Sequence, residues 1–322
     1  MNLIEIADPK DRPDRPVNMW EGLQASDLLA KANFFPFLLP LTARFNAFQF
    51  ETLRAPAALA FMKRSSSRTA GAESDSATIA SGMRKPWVIA HRGASGHAPE
   101  NTMAAFQRAV ELGAGFIETD LHLTRDARFV AIHDAALERT TNGRGQVHDF
   151  TLYELHRLDA GMWYDRKFMG ERIPTLEQIL EFSRKNDVVF YLEVKYDAAW
   201  GMHHALVGAL QKSQDAARII IISFDPSTLE SVRKLDGSLM TGLLVEQAVF
   251  DPVQMAVGVG ARQLCPRFSM VTRELVESAH RADLHVATWT VNEPDDMRAM
   301  IAASADGIMT DFPDRLQIVL EP

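Results

Sequence analysis

Seven ionisable residues in this sequence have the types that phosphate chemistry requires. They comprise two histidines, three carboxylates and two cations, namely His91, His133, Glu118, Asp120, Glu193, Arg92 and Lys195. If they meet in the fold, three carboxylates buried close together are costly without compensation, so a cation should lie among them. Their hard oxygen ligands, with no cysteine nearby, favour one divalent cation, Mg²⁺ or Ca²⁺, over zinc or copper.

The histidines and the cationic side chains suit an anionic ester. An unperturbed imidazole titrates at about pH 6.5, so His91 and His133 can pass protons near neutral pH. Arg92 and Lys195 carry positive charge suited to an anionic group, most naturally a phosphate. A metal ion with two histidines and two cations around one cavity indicates phosphodiester cleavage. The residue types alone therefore predict metal-assisted phosphate chemistry.

The positions of these residues follow from an alternation of strands and helices that begins near residue 84. Short apolar runs predict strands at 87–90, from 116, and at 188–194, 219–222, 239–245, 263–265, 285–290 and 307–309. Helical patterns lie between them, at 103–112, 175–182, 203–211, 226–235, 272–282 and 294–303. This alternation is typical of right-handed βαβ units with a parallel sheet.

Eight strands in about 240 residues match the usual size of a (β/α)₈ TIM barrel. A doubly wound sheet is the alternative, but the first strand–helix turn lacks the GxGxxG phosphate loop of that fold. The polar residues also fall repeatedly at the carboxyl ends of strands, where barrel active sites lie. We therefore predict an α/β protein with a TIM barrel. A lone histidine or acidic pair has an ordinary structural explanation, and only their conjunction at these strand ends indicates a site.

The stretch 116–134 breaks the alternation, because it reads as two extended runs joined by a polar tetrad, which is typical of a hairpin. If the turn lies midway along the tetrad, Asp120 pairs with His133. Strand side chains alternate with period two, so Glu118, Asp120 and His122 share one face. The hairpin is therefore predicted to return His133 beside the carboxylates.

The segment between His133 and Pro174 is too long for an ordinary connection within a barrel. It contains several glycines, including the turn signal Asn142-Gly143. We predict a small insertion at about residues 135–173, which lies over the mouth of the barrel and shapes the substrate pocket.

Length and composition limit the classes of protein to which this chain can belong. It has 322 residues, of which 47% are hydrophobic and 24% charged, an ordinary globular composition. Its formal net charge is −8, so the chain lacks the excess of basic residues that is typical of a nucleic-acid-binding protein. A single cysteine, Cys265, excludes an intramolecular disulfide and a cysteine-rich zinc site. We expect a small-molecule ester as partner, and a homo-oligomer is compatible with the sequence.

Residues 1–82 are predicted to form an irregular, poorly ordered N-terminal extension. They lack the basic start and apolar run of a signal peptide, and the stretch 33–41 is too short to cross a bilayer. We therefore predict no transmembrane segment and a cytoplasmic location. A serine-rich linker at 63–82 places the boundary near Met83, so that residues 83–322 form the barrel. The alternative hypothesis is an apolar, phenylalanine-rich arm that docks on a partner, on the barrel or on a membrane.

Several short motifs follow one another in a specific order after the linker. They are His91-Arg-Gly93, Ala98-Pro-Glu-Asn-Thr102, Glu118-Thr-Asp120, His133-Asp134, Glu138-Arg-Thr-Thr-Asn-Gly143, Glu193-Val-Lys195, Ser223-Phe224, Trp289-Thr-Val-Asn292 and Asp306-Gly-Ile-Met-Thr-Asp311. In order and spacing this series resembles that of glycerophosphodiester phosphodiesterases, most closely the bacterial cytosolic type. The resemblance covers about residues 84–318. Thr119 departs from it, because the family often has a bulky apolar residue there, and residues 1–82 have no counterpart.

The resemblance implies a division of roles among the residues of the site. The divalent cation would be coordinated by the three carboxylates, Glu118, Asp120 and Glu193. The first loop would be supported by Glu100. The acid–base pair would be His91 and His133. The substrate would be bound by Arg92 and Lys195 at its phosphoryl oxygens and by Trp289 at its glycerol.

The implied activity is metal-dependent hydrolysis of a glycerophosphodiester to sn-glycerol 3-phosphate and an alcohol. One histidine would deprotonate the nucleophile, and the other would protonate the leaving alkoxide. The nucleophile would be the neighbouring glycerol hydroxyl, giving a cyclic phosphate that is then hydrolysed, or alternatively a metal-bound water. An alternative is a related barrel lyase that acts on lysophospholipids or phosphatidylinositol and stops at a cyclic phosphate. A non-catalytic binder of phosphate esters is disfavoured, because every implied functional group is present. The sequence leaves open the head group, the choice of ion, the oligomeric state and the order in which the histidines act.

Overall fold

The structure is a computed structural model that describes residues 85–195, 202–213, 215–247 and 251–321. The predicted N-terminal extension with its serine-rich linker, residues 1–82, lies outside the described residues. The residues to which the sequence assigns chemistry all lie within them.

Eight parallel strands pair in a closed ring, which confirms the predicted TIM barrel. They are β1 (Trp87–Ala90), β2 (Phe116–Leu123), β4 (Val189–Val194), β5 (Ile219–Ser223), β6 (Met240–Val245), β7 (Gln263–Pro266), β8 (His285–Thr288) and β9 (Gly307–Thr310). The first strand pairs with both β2 and β9, and these two pairings close the ring. A further strand, β3 (Phe129–Ala131), pairs antiparallel with β2 and lies outside the ring.

The α-helices of the described residues alternate with these strands. They are α1 (Met103–Glu111), α2 (Leu152–Leu155), α3 (Leu176–Asn186), α4 (Met202–Ser213), α5 (Pro226–Leu235), α6 (Pro252–Gly258), α7 (Arg273–Arg281), α8 (Pro294–Ala302) and α9 (Pro313–Leu320). All six helices predicted from the sequence are present. The sequence analysis does not predict α2, α6 or α9, which are short. Both α6 and α9 begin with proline, a residue that the first helical turn tolerates.

Side chains on each strand alternate between the barrel interior and the layer of helices. The interior is filled by mainly apolar side chains, namely Ile89, Phe116, Val189, Tyr191, Ile220, Ile222, Met240, Leu244, Cys265, Ala287 and Met309. By the same alternation, the inward row continues with His91 after β1, with Glu118 on β2 and with Glu193 on β4. The pattern that builds the core therefore also places polar side chains at the carboxyl ends of the strands.

The hairpin of β2 and β3 is confirmed, but its register differs by one residue from the predicted one. Leu123 pairs with Phe129, so the turn is centred on residue 126 and not between residues 126 and 127. The backbone N–H of Thr124 donates to the carbonyl oxygen of Arg128 at 2.9 Å, so the loop comprises the three residues 125–127, and its last residue, Ala127, adopts a left-handed conformation with φ of 56°. Three-residue hairpin loops commonly end in this way.

The shifted register changes the partner of Asp120. Its carbonyl oxygen accepts a hydrogen bond from the backbone N–H of Ile132 at 3.1 Å, so the predicted pairing of Asp120 with His133 is wrong. The side chain of His122 instead makes a hydrogen bond through Nε2 to the backbone oxygen of His133, at 3.0 Å. His133 nevertheless returns to the carboxyl end of the barrel, as predicted.

The insertion at 135–173 packs around a small apolar core, separate from that of the barrel, to which the β3 segment also contributes. This core contains Val130, Ile132, Leu137, Val147, Leu155, Ala160 and Ile173. The carboxylate of Glu171 accepts a hydrogen bond from the N–H of Ala104, which anchors the insertion at the first turn of α1. The extent of the domain and its role in shaping the pocket stay predictions. No helix within the described residues has both the length and the apolar character that a membrane span needs.

Candidate active site

A cavity of about 230 Å³ opens at the carboxyl ends of the barrel strands. Eight residues were predicted to bind the metal or the substrate or to transfer protons, and seven of them line this cavity, namely His91, Arg92, Glu118, His133, Glu193, Lys195 and Trp289. The eighth, Asp120, is buried next to them, with 1% of its surface exposed. The structure therefore brings all the sequence-predicted site residues to one place.

The three predicted metal ligands form a buried carboxylate cluster. Glu118, Asp120 and Glu193 each offer an oxygen atom, and these atoms lie within 4.8 Å of one another. Asp120 and Glu193 are direct neighbours on adjacent strands. The Oε1 atom of Glu118 is buried and has no hydrogen-bond partner among the described residues. Because an unpaired buried carboxylate oxygen is costly, a hard divalent cation is the group that fits this cluster.

Crowding in this cluster is visible in the pKa values. Burial, followed by the charges of Asp120 and Glu193, raises the pKa of Glu118 well above its ordinary value. Burial and Asp120 likewise raise the pKa of Glu193 to about 7. Burial would also raise the pKa of Asp120, but Lys195 and Arg92 outweigh it and hold that pKa below its ordinary value. The two cations therefore balance the charge of Asp120, whereas the charges of Glu118 and Glu193 are only partly balanced.

Two cations contact the carboxylate cluster and line the cavity beside it. The Nζ atom of Lys195 is 2.8 Å from Asp120 and 2.6 Å from Glu193. The Nε atom of Arg92 is 3.4 Å from Asp120, and its Nη1 donates to Glu100 at 2.8 Å. An ammonium group has three donors and a guanidinium five, so both side chains keep donors for an anion in the cavity.

The imidazole of His91 is held by a carboxylate on its far side. Its Nδ1 lies 2.7 Å from Oδ1 of Asp311, and its Nε2 points towards Glu118 at 4.0 Å. Burial would raise the pKa of Asp311, but hydrogen bonds from His91, Asn292 and Ser95 lower it to about 2. Asp311 is therefore ionised and accepts the Nδ1 proton, which leaves Nε2 to face the carboxylate cluster.

The imidazole of His133 has the same kind of support. Its Nδ1 lies 2.6 Å from Oδ1 of Asp134, the next residue in the chain. Arg139 donates to Asp134 through Nε at 2.6 Å and to both carboxylate oxygens of Glu100 at 2.8 Å. Glu100 in turn accepts from Arg92. One ionic chain therefore runs from the second imidazole to the first cation.

The other wall of the cavity is mainly apolar. The rings of Phe224 and Trp289 meet edge to face, with centroids 5.4 Å apart and planes at 88°. The indole Nε1 of Trp289 donates to the backbone oxygen of Cys265 at 2.7 Å, which fixes the ring. An apolar wall facing a charged wall suits an ester that has one ionic and one carbon-rich part.

The motif order, the barrel and this arrangement agree with a comparison with known families. The model of the glycerophosphoryl diester phosphodiesterase family matches residues 91–315. The chain belongs to this family. A glycerophosphodiester phosphodiesterase of Caldanaerobacter subterraneus subsp. tengcongensis is 43% identical over 234 residues, which cover 72% of this chain and 96% of the relative. One from Bacillus subtilis is 33% identical over 251 residues, covering 70% and 84%.

Solved structures show the same fold. An Oleispira antarctica phosphodiesterase in complex with the product sn-glycerol-3-phosphate has a TM-score of 0.68 at 27% identity, covering 74% of this chain and 97% of its own. A glycerophosphodiester phosphodiesterase from Agrobacterium tumefaciens has a TM-score of 0.66 at 26% identity, covering 72% and 99%. The family predicted from the motifs is therefore confirmed.

In this member of the glycerophosphoryl diester phosphodiesterase family, the structure adds residues that the sequence analysis gave no role. Asp311, Asp134 and Arg139 hold the two imidazoles, and each lies within one of the motifs. Asn101 donates through Nδ2 to Asp120 at 2.8 Å, and Thr102 is the N-cap of α1. Membership of a motif was the available signal for these residues, but spacing alone does not say which side chain each one contacts.

Proposed function

We propose that this protein hydrolyses glycerophosphodiesters to sn-glycerol 3-phosphate and an alcohol, with one divalent cation as cofactor. The observation that carries the proposal is that two imidazoles, each backed by a carboxylate, line one cavity with a buried carboxylate cluster and two cations. Membership of the family supports it, as does the product bound by the Oleispira relative.

Three residues would hold the cation, Mg²⁺ or Ca²⁺, namely Glu118, Asp120 and Glu193. A bound divalent ion supplies Lewis-acid polarisation of a phosphoryl oxygen and offsets the negative charge of the site. The orphaned Oε1 atom of Glu118 and the raised pKa values of Glu118 and Glu193 support this assignment. The carboxylate donor set suits either of these hard ions.

The protein's own side chains would stabilise the transition state and carry out the two proton transfers. Arg92 and Lys195 donate to the non-bridging phosphoryl oxygens, where negative charge grows in the transition state. One imidazole, His91 or His133, takes the proton from the nucleophile. If the nucleophile is water, its attack gives sn-glycerol 3-phosphate directly; if it is the neighbouring glycerol hydroxyl, the attack gives a cyclic phosphate, which water then hydrolyses to sn-glycerol 3-phosphate. The other imidazole donates a proton to the departing alkoxide. Trp289 contacts the carbon skeleton of the glycerol.

The proposal is tested by replacing each imidazole in turn. We expect His91→Ala and His133→Ala to lower kcat on glycerophosphocholine by about 10²–10⁴, the usual contribution of one acid–base group. The assay follows released glycerol phosphate in the presence of Mg²⁺ or Ca²⁺. His97→Ala is the matched control, because His97 pairs with Asp314 and is not among the residues that line the cavity. Near-normal turnover in either cavity variant would remove that histidine from the mechanism.

A lyase that acts on lysophospholipids and releases a cyclic phosphate is the second candidate. The insertion favours it with exposed apolar side chains, since Met162, Trp163 and Met169 are 58%, 40% and 61% exposed. Phosphorus NMR separates the two functions, because a cyclic phosphate that persists marks the lyase. We propose the hydrolase as the main activity, and a cytoplasmic location with it.

A further inference from the structure

The cavity has two chemically different sides. The carboxylate cluster, both imidazoles and both cations come from β1, β2, the segment after β3, and β4. The opposite side comes from β5, β6 and β8 and is mainly apolar. Besides Met309 on β9, which also lines the cavity, its residues are Ile222, Phe224, Leu244, Glu246, Trp289 and Thr290. Glu246 is the ionisable residue among these six, and neither the family motifs nor the proposed mechanism uses it.

Strand alternation explains why Glu246 faces the cavity. Met240 and Leu244 belong to the inward row of β6, and Glu246 lies two residues beyond Leu244 on the same face. Val245 pairs with Pro266 on β7, so the next residues outward, Glu246 and Arg267, are neighbours at the rim. The carboxylate therefore forms the outer edge of the apolar wall, and it is half exposed.

The charges of the two sides are complementary to a zwitterion. Arg92 and Lys195 attract the phosphate on one side of the cavity, and the carboxylate of Glu246 faces it from the other. The ring of Phe224 is 43% exposed and lies on the same wall, braced edge to face by Trp289. A cation near a carboxylate and over an aromatic face is stabilised by both groups.

We propose that Glu246 and Phe224 form a subsite for a cationic alcohol, so that the preferred substrates are glycerophosphodiesters with an ammonium head group, such as choline or ethanolamine. This assignment rests on the proposed function. It goes further, because it names the substrate class and the side chain that selects it. An ester with a neutral alcohol, such as glycerophosphoglycerol, gains nothing from the carboxylate.

Arg267 is the competitor of such a cation. Its Nη1 lies 3.7 Å from Oε1 of Glu246, and both side chains are half exposed. An ion pair this exposed is weak, so an ammonium group held against the aromatic wall can compete for the carboxylate. Removal of Arg267 should therefore strengthen the subsite, whereas removal of Glu246 should abolish it.

The test compares two substrates in the full-length protein. We expect Glu246→Gln to lower the ratio of kcat/KM for glycerophosphocholine to kcat/KM for glycerophosphoglycerol by about fivefold to twentyfold. Arg267→Gln should raise the same ratio. Glu277→Gln is the matched control, because it removes the same charge from the exposed face of α7 and should leave the ratio unchanged. Thermal melting verifies that each variant is folded.

The outcomes separate this assignment from the proposed function. If Glu246→Gln changes kcat/KM equally for both substrates, or for neither, the cationic subsite is wrong while the hydrolase activity stands. A ratio that falls equally in Glu277→Gln would also overturn the subsite, because the effect would then be one of net charge. Wild-type protein that hydrolyses neither ester would overturn the proposed function itself.

Discussion

At the scale of single residues, each imidazole in the cavity is fixed by a carboxylate that is itself fixed. The carboxylate of Asp311 accepts hydrogen bonds from Nδ1 of His91 and from the side chains of Asn292 and Ser95. The carboxylate of Asp134 accepts hydrogen bonds from Nδ1 of His133 and from Nε of Arg139. A proton on Nδ1 leaves Nε2 of each ring directed at the cavity, and the rings cannot turn without breaking these contacts. Such preorganisation matters because acid–base transfer depends on short, aligned contacts.

The first prediction concerns Asp311. We expect Asp311→Asn to lower kcat by about 10- to 1,000-fold, because the uncharged amide neither stabilises a protonated imidazole nor enforces its tautomer. The metal concentration at half-maximal activity should not change, since Asp311 is not one of the three clustered carboxylates. Steady-state kinetics with a metal titration measure both quantities.

Asp314→Asn provides the control for Asp311. Asp314 pairs with Nε2 of His97 at 2.8 Å, a similar ion pair near the same end of the barrel. It should leave kcat within about twofold of wild type. Asp311 would lose its positioning role if both variants lost the same activity, or if Asp311→Asn altered the metal titration instead of kcat.

The second prediction concerns Arg139, which donates hydrogen bonds both to Asp134 and to Glu100. Asp134 is the partner of His133, and Glu100 is the partner of Arg92. The hydrogen bonds that Arg139 donates to Glu100 and then to Asp134 raise its pKa, so its charge is permanent. We expect Arg139→Gln to lower kcat by about 10- to 100-fold, because Asp134 and Glu100 lose their shared donor. Arg139→Lys should restore little, since one ammonium cannot replace the planar guanidinium fork.

The matched variant for Arg139 is Arg144→Gln, which removes an exposed arginine from the same insertion. We expect wild-type kcat and KM for it. If Arg139→Gln raised KM while kcat stayed normal, Arg139 would be a substrate-binding residue and the positioning role would be wrong.

At the scale of elements, strand and helix periodicity was sufficient to predict the barrel. Inward and outward rows alternate so regularly that runs such as Val189–Val194 are visible without knowledge of the fold. The register of the β2–β3 hairpin was not predictable in the same way. It depends on the left-handed conformation of Ala127, and alanine has no intrinsic preference for that conformation. The short helix α6 is less than two full turns long, so its periodicity is weak.

The candidate site divides in the same manner. The residues at strand ends were predictable, because a closed parallel barrel gathers the carboxyl ends of all its strands. The contacts of Arg139 with Glu100, 39 positions apart in sequence, were not predictable, because they depend on how the insertion folds back onto the barrel. The outer position of Glu246 likewise follows only once the register of β6 against β7 is known.

The third prediction concerns Asp306, which joins α7 to β8 through two side chains and one backbone amide. It lies 2.8 Å from Nε2 of His280, accepts from the N–H of Val286 at 2.8 Å, and is 3.5 Å from His285. Burial would raise its pKa, but the hydrogen bonds from His285, Val286 and His280 outweigh burial and lower it. The ionised form is therefore favoured in the folded state.

A lowered carboxyl pKa fixes the sign of the pH effect. The stability that Asp306 contributes is fully present above its unfolded pKa of about 3.9 and is lost as pH falls through the lower folded pKa. We expect Asp306→Asn to reduce the free energy of unfolding at pH 7 by about 1–2 kcal/mol, a deficit that shrinks below about pH 4. Urea unfolding at several pH values measures it. Asp283→Asn, at an exposed position, should show no such deficit, and a deficit that grew in acid would contradict the argument.

At the scale of the whole molecule, the barrel interior changes from apolar to ionic along its axis. Tyr191 and the apolar residues around it form the closed part of the core, and Glu193, two residues further along β4, begins the ionic part. Buried carboxylates of like charge destabilise a fold unless a cation joins them. Lys195 and Arg92 offset part of this negative charge, and the divalent cation that the protein is proposed to bind would compensate the rest.

The last prediction follows from that imbalance. A ligand that binds only the folded state stabilises it by about 2.7 kcal/mol at one hundred times its Kd. For a domain of this size that corresponds to a rise in Tm of roughly 5–10 °C. We expect Mg²⁺ or Ca²⁺ to produce such a rise in the wild-type protein and a chelator to reverse it. In Glu193→Gln the rise should be smaller at the same metal concentration, and half-maximal activity should require more metal. Glu177→Gln, which removes an exposed carboxylate on α3, should keep the full rise. Because the shift is taken within each variant, the lost contact of Glu193 with Lys195 cancels from it. An equal rise in Glu193→Gln and wild type would place the ion elsewhere and leave the carboxylate cluster without its proposed compensation.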